Sequence, residues 1–274
     1  MTATMIARTD VGSARITQAG VVQSEWIKIR SLRSTWFSLL AAVVMIVGLG
    51  TLFSAIHTSR VEQGHGPGGQ IGLDATQVSL RGIFLAQLAI GVLGVLVITG
   101  EYSTGMIRSS LAAVPHRQPV LVAKALVFGV VVFAVSLAST FAAFLLGQQA
   151  QASTHAQASL STPGAMRAIV GGAIYLTLIG LLAVGLGFLI RNTAGAIATL
   201  FGIVLVAPIL AAALPQPYSN DVSKYLPLNA GTQILLTRNF DPTQLSPWIG
   251  IGVTALYAVV ALIAGAIMLK RRDA

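Results

Sequence analysis

Covalent catalysis needs a nucleophile held against a base, and metal chemistry needs clustered ligands; this sequence offers neither. Cysteine is absent, and the four histidines, His57, His65, His116 and His155, are scattered without metal-ligand spacing. No G-x-x-x-x-G-K-[ST] loop is present to cradle a nucleotide, and neither H-E-x-x-H nor G-x-S-x-G occurs. A charge-bearing stretch between two apolar runs, GEYSTGMIRSSLAAVPHRQPVLVAK at 100–124, stands out instead. Its chemistry is recognition. Glu101 and Tyr102 stand where the preceding run ends, and Ile107, Leu111 and Val114 recur at steps of four and three, with Arg108 and Ser110 off that stripe. Pro115 stops such a helix, and Arg117, Pro119 and Lys124 lead into the next run. A short, partly apolar helix of this kind fits a groove on a partner. A solvated loop whose bases only enforce orientation is the other reading, and the residues alone leave both open.

The elements that position this stretch follow from composition. Of 274 residues, 55% are hydrophobic and 9% charged, with mean hydropathy +0.81. A soluble domain carries about 25% charged residues, so most of this chain belongs in a membrane, as one domain of several helices. The absence of cysteine excludes a disulfide framework, a thiolate nucleophile and an iron–sulfur site. The first 35 residues lack the pattern of a cleavable signal peptide, so the first apolar run is expected to be a retained span. A helical span needs about 20 apolar residues. Six segments fit: Trp36–Ile56, Gly82–Thr99, Ala125–Leu146, Ile169–Ile190, Thr193–Leu214 and Trp248–Leu269, none with an Asp, Glu, Lys or Arg. Pro208 is expected to kink the fifth, and Arg191-Asn192 makes a tight hairpin of the fourth and fifth.

Six spans place both termini on one side. That side holds twelve bases and four acids, Glu25 and Glu101 among them, against five bases and four acids on the other. The positive-inside rule makes the termini cytoplasmic and the protein a multi-pass protein of the plasma (inner) membrane. The positive charge is therefore a topology signal, and nucleic-acid binding is not expected. Ahead of the first span, Val22, Trp26, Ile29, Leu32 and Trp36 form one apolar stripe, with Lys28 and Arg30 outside it and Glu25 and Arg33 in the same segment. This predicts an amphipathic helix lying in the interface against membrane lipids; an ordinary basic flank that only fixes orientation is the other reading. Polar residues inside the spans, namely Gln87, Thr51, Ser136, Ser139, Thr140 and Thr177, are expected to hydrogen-bond between helices. A-x-x-x-G at Ala198–Gly202 and Ala261–Gly265 is a weak dimer signal.

Three stretches in order carry a resemblance. SEWIKIRSLRSTW, the 100–124 segment and YLPLNAG before the last span resemble the type-2 ABC transporter permeases, notably the small ones of high-GC Gram-positive bacteria, over about residues 21 to 270. The resemblance implies an all-α integral membrane protein of six spans with an N-terminal interfacial helix and a cytoplasmic coupling helix. Its parts would be a disordered tail at 1–20, a connecting helix at 21–35, a permease domain at 36–269 and a basic tail at 270–274. It further implies a coupling set of Glu101, Tyr102, Gly105, Ile107, Arg108, Leu111, Val114, Pro115 and Arg117, with the helix at 103–114 docking into an ATPase cleft. The connecting helix would use Glu25, Trp26, Lys28, Arg30 and Arg33, and an outer region that closes the exit path would use Tyr225, Leu226, Pro227 and Asn229. The outer segment is more polar than a membrane-dipping helix pair requires.

As implied partners, two copies of a separate nucleotide-binding subunit carry ATP and Mg, and a second permease copy completes a homo- or heterodimer; this chain itself binds no cofactor. The function implied is the permease subunit of an ATP-driven exporter moving a hydrophobic or amphiphilic substrate (drug, lipid or peptide) outward, with hydrolysis on the partner, and multidrug efflux is one form of that activity. A non-transporting anchor or sensor subunit that recruits a cytoplasmic partner is the alternative. A proton-driven carrier is disfavoured by the acid-free spans, and an intramembrane enzyme by the missing catalytic set.

Overall fold

A computed structural model describes residues 17–65, 74–106, 118–154, 157–237 and 241–271, and within them every regular element is helical. Six helices are long and apolar enough to cross a membrane: Arg33–Gln63, Ala75–Ser103, Gln118–Ala150, Ala165–Ile190, Thr193–Ala212 and Pro247–Arg271, spans one to six below. Several exceed the apolar runs that announce them. Span three begins at Gln118, about two turns ahead of Ala125, because Lys124 lies inside its first turns and finds partners there. Spans two to four are the most buried, whereas spans one, five and six turn most of their surface outward.

The N-terminal helix, Gln18–Ser31, starts where the Thr17 side chain accepts a hydrogen bond from the Gly20 amide at 3.2 Å. It stops at Leu32, which is extended, and span one begins at the next residue. Its inward face differs from the apolar stripe expected from the sequence. Val21, Glu25 and Ile29 are buried, while Trp26, Leu32 and Trp36 are exposed. Val21 packs on Val120 and Ala123 of span three, and Glu25 is drawn inward by two lysines. The tryptophans are left on the outward side, where an amphipathic ring suits a membrane interface. The end of the bundle carrying this helix is the basal end, and the opposite one the distal end.

Spans one and two meet backbone to backbone. Span one widens into a π turn at Met45–Leu49, and span two breaks at Leu80–Gly82 between Ala75–Ser79 and Ile83–Ser103. A Cβ on Gly82 would stand 2.2 Å from the Met45 carbonyl oxygen, and one on Gly50 would stand 2.2 Å from that of Ser79. Only glycine permits this approach. In span five another π turn, Gly202–Val206, directly precedes Ala207–Ala212. Pro208 lies at the start of the latter, so the wide turn accommodates the missing donor and the ring's bulk.

The distal segment after span five re-enters the bundle. The helix Pro227–Thr232 and the 3-10 turn Gln233–Leu235 lie against spans four and six, with Ala230, Ile234 and Leu235 buried. A Cβ on Gly231 would strike the Tyr175 ring at 2.4 Å, one on Gly171 would strike Ile234 at 2.1 Å, and one on Gly250 the Ala230 carbonyl at 2.0 Å. Tyr175 lies ten residues into span four, about 15 Å along the axis. Hence the segment reaches well inside the bundle despite its polar sequence. Its polarity is spent locally: Asn229 donates from Nδ2 to the Ser223 carbonyl at 3.0 Å, and the Thr254 hydroxyl donates to the Pro227 carbonyl at 3.4 Å.

Candidate functional site

At the basal end four charged side chains from three elements close a ring. Lys28 Nζ donates to Glu25 Oε1 at 2.7 Å and to Glu101 Oε1 at 3.1 Å. Lys124 Nζ donates to Glu25 Oε2 at 2.6 Å and to Glu101 Oε1 at 2.8 Å. Glu25 and Lys28 come from the N-terminal helix, Glu101 from the end of span two and Lys124 from the start of span three. Two cations meet two anions, so the ring is neutral. The Glu25 and Lys124 side chains are each 2% exposed and that of Lys28 is 25% exposed. The distances are those of charge-assisted bonds.

Burial makes this arrangement all-or-none. Taking four charges out of water costs several kcal/mol per ion, and mutual attraction repays it only when every partner is present. Burial on its own would lower the pKa of the Lys28 ammonium. Its hydrogen bond to Glu25 and the charges of Glu101 and Glu25 outweigh that, so its pKa lies above the ordinary 10.5. Glu101 Oε2 is buried and has no hydrogen-bond donor among the described residues. The ring can therefore exchange partners at Glu101 without first breaking a bond at that oxygen.

The ring fastens both stems of the 100–124 stretch. Span two ends just beyond Glu101: Ser103 and Thr104 hydroxyls donate to the Gly100 carbonyl at 3.0 and 2.9 Å. Gly105 follows with φ +72, the left-handed position at which glycine commonly closes a helix. Ile107, Arg108, Leu111, Val114, Pro115 and Arg117 lie outside the described residues, as do residues 1–16 and 272–274. On the return, Gln18 Nε2 donates to the Pro119 carbonyl at 3.4 Å. Tyr102 connects the site to the other spans. Its ring lies 5.1 Å from the Arg191 guanidinium, which donates to the Met268 carbonyl at 3.1 Å. Arg191 itself has φ 59 and ends span four, and Asn192 Oδ1 accepts from the Gly195 amide at 2.8 Å to start span five. The two-residue hairpin expected from the sequence is formed by this pair.

Of the other residues singled out in the sequence, Trp26 and Arg30 line the corner between the N-terminal helix and span one, and Arg33 opens that span exposed. Tyr225 is exposed, Leu226 and Asn229 are half-buried and Pro227 is buried under Thr254. Of the six polar span residues singled out in the sequence, Gln87 and Thr140 bond across helices. Tyr175 Oη donates to Gln87 Oε1, and Thr140 Oγ1 donates to the Ile169 carbonyl at 3.2 Å. Thr51, Ser139 and Thr177 instead bond a carbonyl one turn back, and Ser136 Oγ is buried without a partner among the described residues. Ala261–Gly265 is used internally, since a Cβ on Gly265 would meet Phe188 Cβ at 2.8 Å.

Lys124 was legible only as a base ahead of span three. Its signal is its setting, VLVAKALVF: a lysine with apolar neighbours on both sides of a helix must find a buried anion. A second polar cluster, at the distal end, lacked even that. Gln148 Nε2 donates to Ser79 Oγ at 2.9 Å and to the Ala75 carbonyl at 3.2 Å. Gln151 Nε2 reaches Ser54 Oγ at 3.3 Å and Ser79 Oγ at 3.2 Å. Among the described residues no three His, Cys, Asp or Glu side chains gather as a metal site.

Comparison with known proteins adds a family. No curated protein matches the chain. The family described as ABC-2 family transporter protein matches residues 21–209, which takes in most of the N-terminal helix, all four members of the charge ring and most of span five. Permeases of this family generally pair with ABC ATPase subunits. The matched length exceeds half of the 274 residues, and with six apolar helices the chain belongs to the ABC-2 transporter family as a multi-pass membrane permease subunit.

Proposed function

We propose that this chain is the permease half of an ATP-driven exporter, moving a hydrophobic or amphiphilic substrate outward across the plasma membrane. The basal end faces the cytoplasm on this reading, in keeping with its excess of Lys and Arg. Two copies of a separate nucleotide-binding subunit dock there and carry ATP with its magnesium. The observation that supports it best is the buried ring. It joins the N-terminal helix to both stems of the segment at 104–117, so a push on that segment reaches spans two and three together. Tyr102 and Arg191 extend the same push to spans four and six. The docking residues are then Ile107, Arg108, Leu111 and Val114, bounded by Pro115.

A second permease copy fits the outward face of span five. Ala198, Val206 and Ile209 are exposed there, and nothing lies within 4 Å of a Cβ built on Gly202. The re-entrant helix Pro227–Thr232 with Tyr225, Leu226 and Asn229 closes the distal exit, by its insertion between spans four and six.

The test is reconstitution in vesicles with a cognate ATPase subunit, following ATP-dependent efflux and ATPase stimulation. Glu101→Gln is expected to leave the two proteins associated while reducing ATP-coupled efflux at least tenfold. Association without any ATP-dependent movement of a hydrophobic probe by the parent protein would instead make this chain an anchor or sensor subunit.

A further inference from the structure

Where the N-terminal helix turns into span one, Trp26, Ile29 and Arg30 face Thr35, Trp36 and Leu39, and Val131 of span three closes the back. The cleft so formed has a volume of about 160 Å³. A dry apolar cavity of about 150 Å³ accepts a benzene ring, so this one accepts several methylenes of a hydrocarbon chain. Its walls are almost wholly carbon. The Trp36 indole N–H is already donated to the Arg30 carbonyl at 3.0 Å, which leaves the Thr35 hydroxyl and the Arg30 guanidinium as the polar groups there. Leu39 lies six residues beyond Arg33, about 9 Å along the helix, so the cleft runs from headgroup depth into the hydrocarbon.

The rim carries charge that the neighbouring ring does not consume. Lys28 and Lys124 are paired, whereas Arg30 and Arg33 are exposed and form no ion pair among the described residues. Trp26 and Trp36, 48% and 57% exposed, flank the opening as interfacial aromatic residues do. Carbon walls with the uncommitted Arg30 guanidinium at the mouth, and the exposed Arg33 one turn ahead of Trp36, call for one molecule with a hydrocarbon tail and an anionic head. We propose that the cleft binds one acyl chain of an anionic phospholipid, its phosphate held at Arg30 and Arg33. The bound chain braces the corner on which Glu25 and Lys28 depend. The proposal requires the multi-pass placement of the protein and not the direction of transport.

The chain has three tryptophans, and two of them line the cleft, which gives the test its readout. The full-length protein carrying Trp248→Phe is reconstituted in phosphatidylcholine vesicles containing a small, equal fraction of either brominated-chain phosphatidylglycerol or brominated-chain phosphatidylcholine. Fluorescence of Trp26 and Trp36 is expected to be quenched by the anionic lipid at roughly 25-fold lower mole fraction, about fivefold for each of two basic residues. Arg30→Gln should reduce that preference about fivefold, the factor for one basic residue at an anionic surface, and Arg30→Gln/Arg33→Gln should bring the two lipids to parity. Val131→Phe, which fills the back of the cleft, should lower quenching by the anionic lipid to the bulk level. Equal quenching by the two lipids in the parent, no quenching by either, or a preference that survives the double arginine variant overturns the proposal. The assay contains neither ATP nor transport substrate, so its failure is distinguishable from failure of the export reading.

Discussion

The two ends of the bundle solve the same problem with different chemistry. At the basal end, helices are fastened by four buried charges, Glu25, Lys28, Glu101 and Lys124. At the distal end, spans one to three are fastened by neutral groups, Ser54, Ser79, Gln148 and Gln151. Neutral amides and hydroxyls lose little when one bond is exchanged for another. Buried charges lose a great deal when one partner leaves, and they are insensitive to small adjustments while all four remain. A charged fastening therefore suits a place that must hold or release as a unit, and a neutral one suits a place that only has to stay packed.

Lys124→Met is the strongest way to break this contrast. It leaves two carboxylates buried with only Lys28 between them, and a loss of about 3–5 kcal/mol is expected, read as a large fall in the unfolding temperature in detergent. Adding Glu101→Gln should recover part of that loss, since the two positions share a bond and do not add; strict additivity would show that the ring is not a unit. Gln148→Leu removes the centre of the distal cluster, and about 1–3 kcal/mol is expected from the acceptors and donors it strands, the Ala158 amide included. On the export reading, the Gln148→Leu variant should keep ATP-coupled transport per folded molecule unchanged, in contrast to Glu101→Gln.

Tyr175→Phe deletes one bond inside the bundle, that to Gln87, and about 0.6 kcal/mol is expected, the average for side-chain bonds between membrane helices. The smallest effect concerns Lys28, whose side chain is a quarter exposed. Its pKa in the folded protein lies above 10.5. Its stabilising share is therefore fully present below pH 10.5 and is lost as pH rises from there through the raised value. Unfolding scans from neutral to alkaline pH should show this decline in the parent and not in Lys28→Met, while Gln148→Leu should retain it.

How far the sequence announces these features depends on whether they are periodic. Apolar runs of span length need no partner to be recognised, and the Arg191-Asn192 hairpin follows from having only two residues between two such runs. Glu25, Lys28 and Glu101 were individually conspicuous, but their convergence was not legible. Glu25 and Lys124 lie 99 residues apart, and no local pattern records a bond of that range. The inward face of the N-terminal helix was displaced for the same reason. Apolar spacing points to Val22 and Trp26, while the distant Lys124 turns Glu25 inward. The π turn at Met45–Leu49 and the break at Leu80–Gly82 follow from each other's presence, not from the propensity of either segment. The re-entrant segment reads as polar because its side chains bond within it, and its Gly231 together with Gly171 of span four and Gly250 of span six, not its apolar content, admits it to the bundle.

The ring also has a history during synthesis. Its members are made in the order Glu25, Lys28, Glu101, Lys124, and the last carries both bridges that join the carboxylates deep in the ring. While the ribosome has delivered only two spans, two acids share one lysine, and the N-terminal helix has no reason to settle against the bundle. The arrival of span three neutralises the set and locks that helix in one step. The chain thus sets an order on its own assembly: without the third span, Glu25 and Glu101 are left with Lys28 as the ring's one cation.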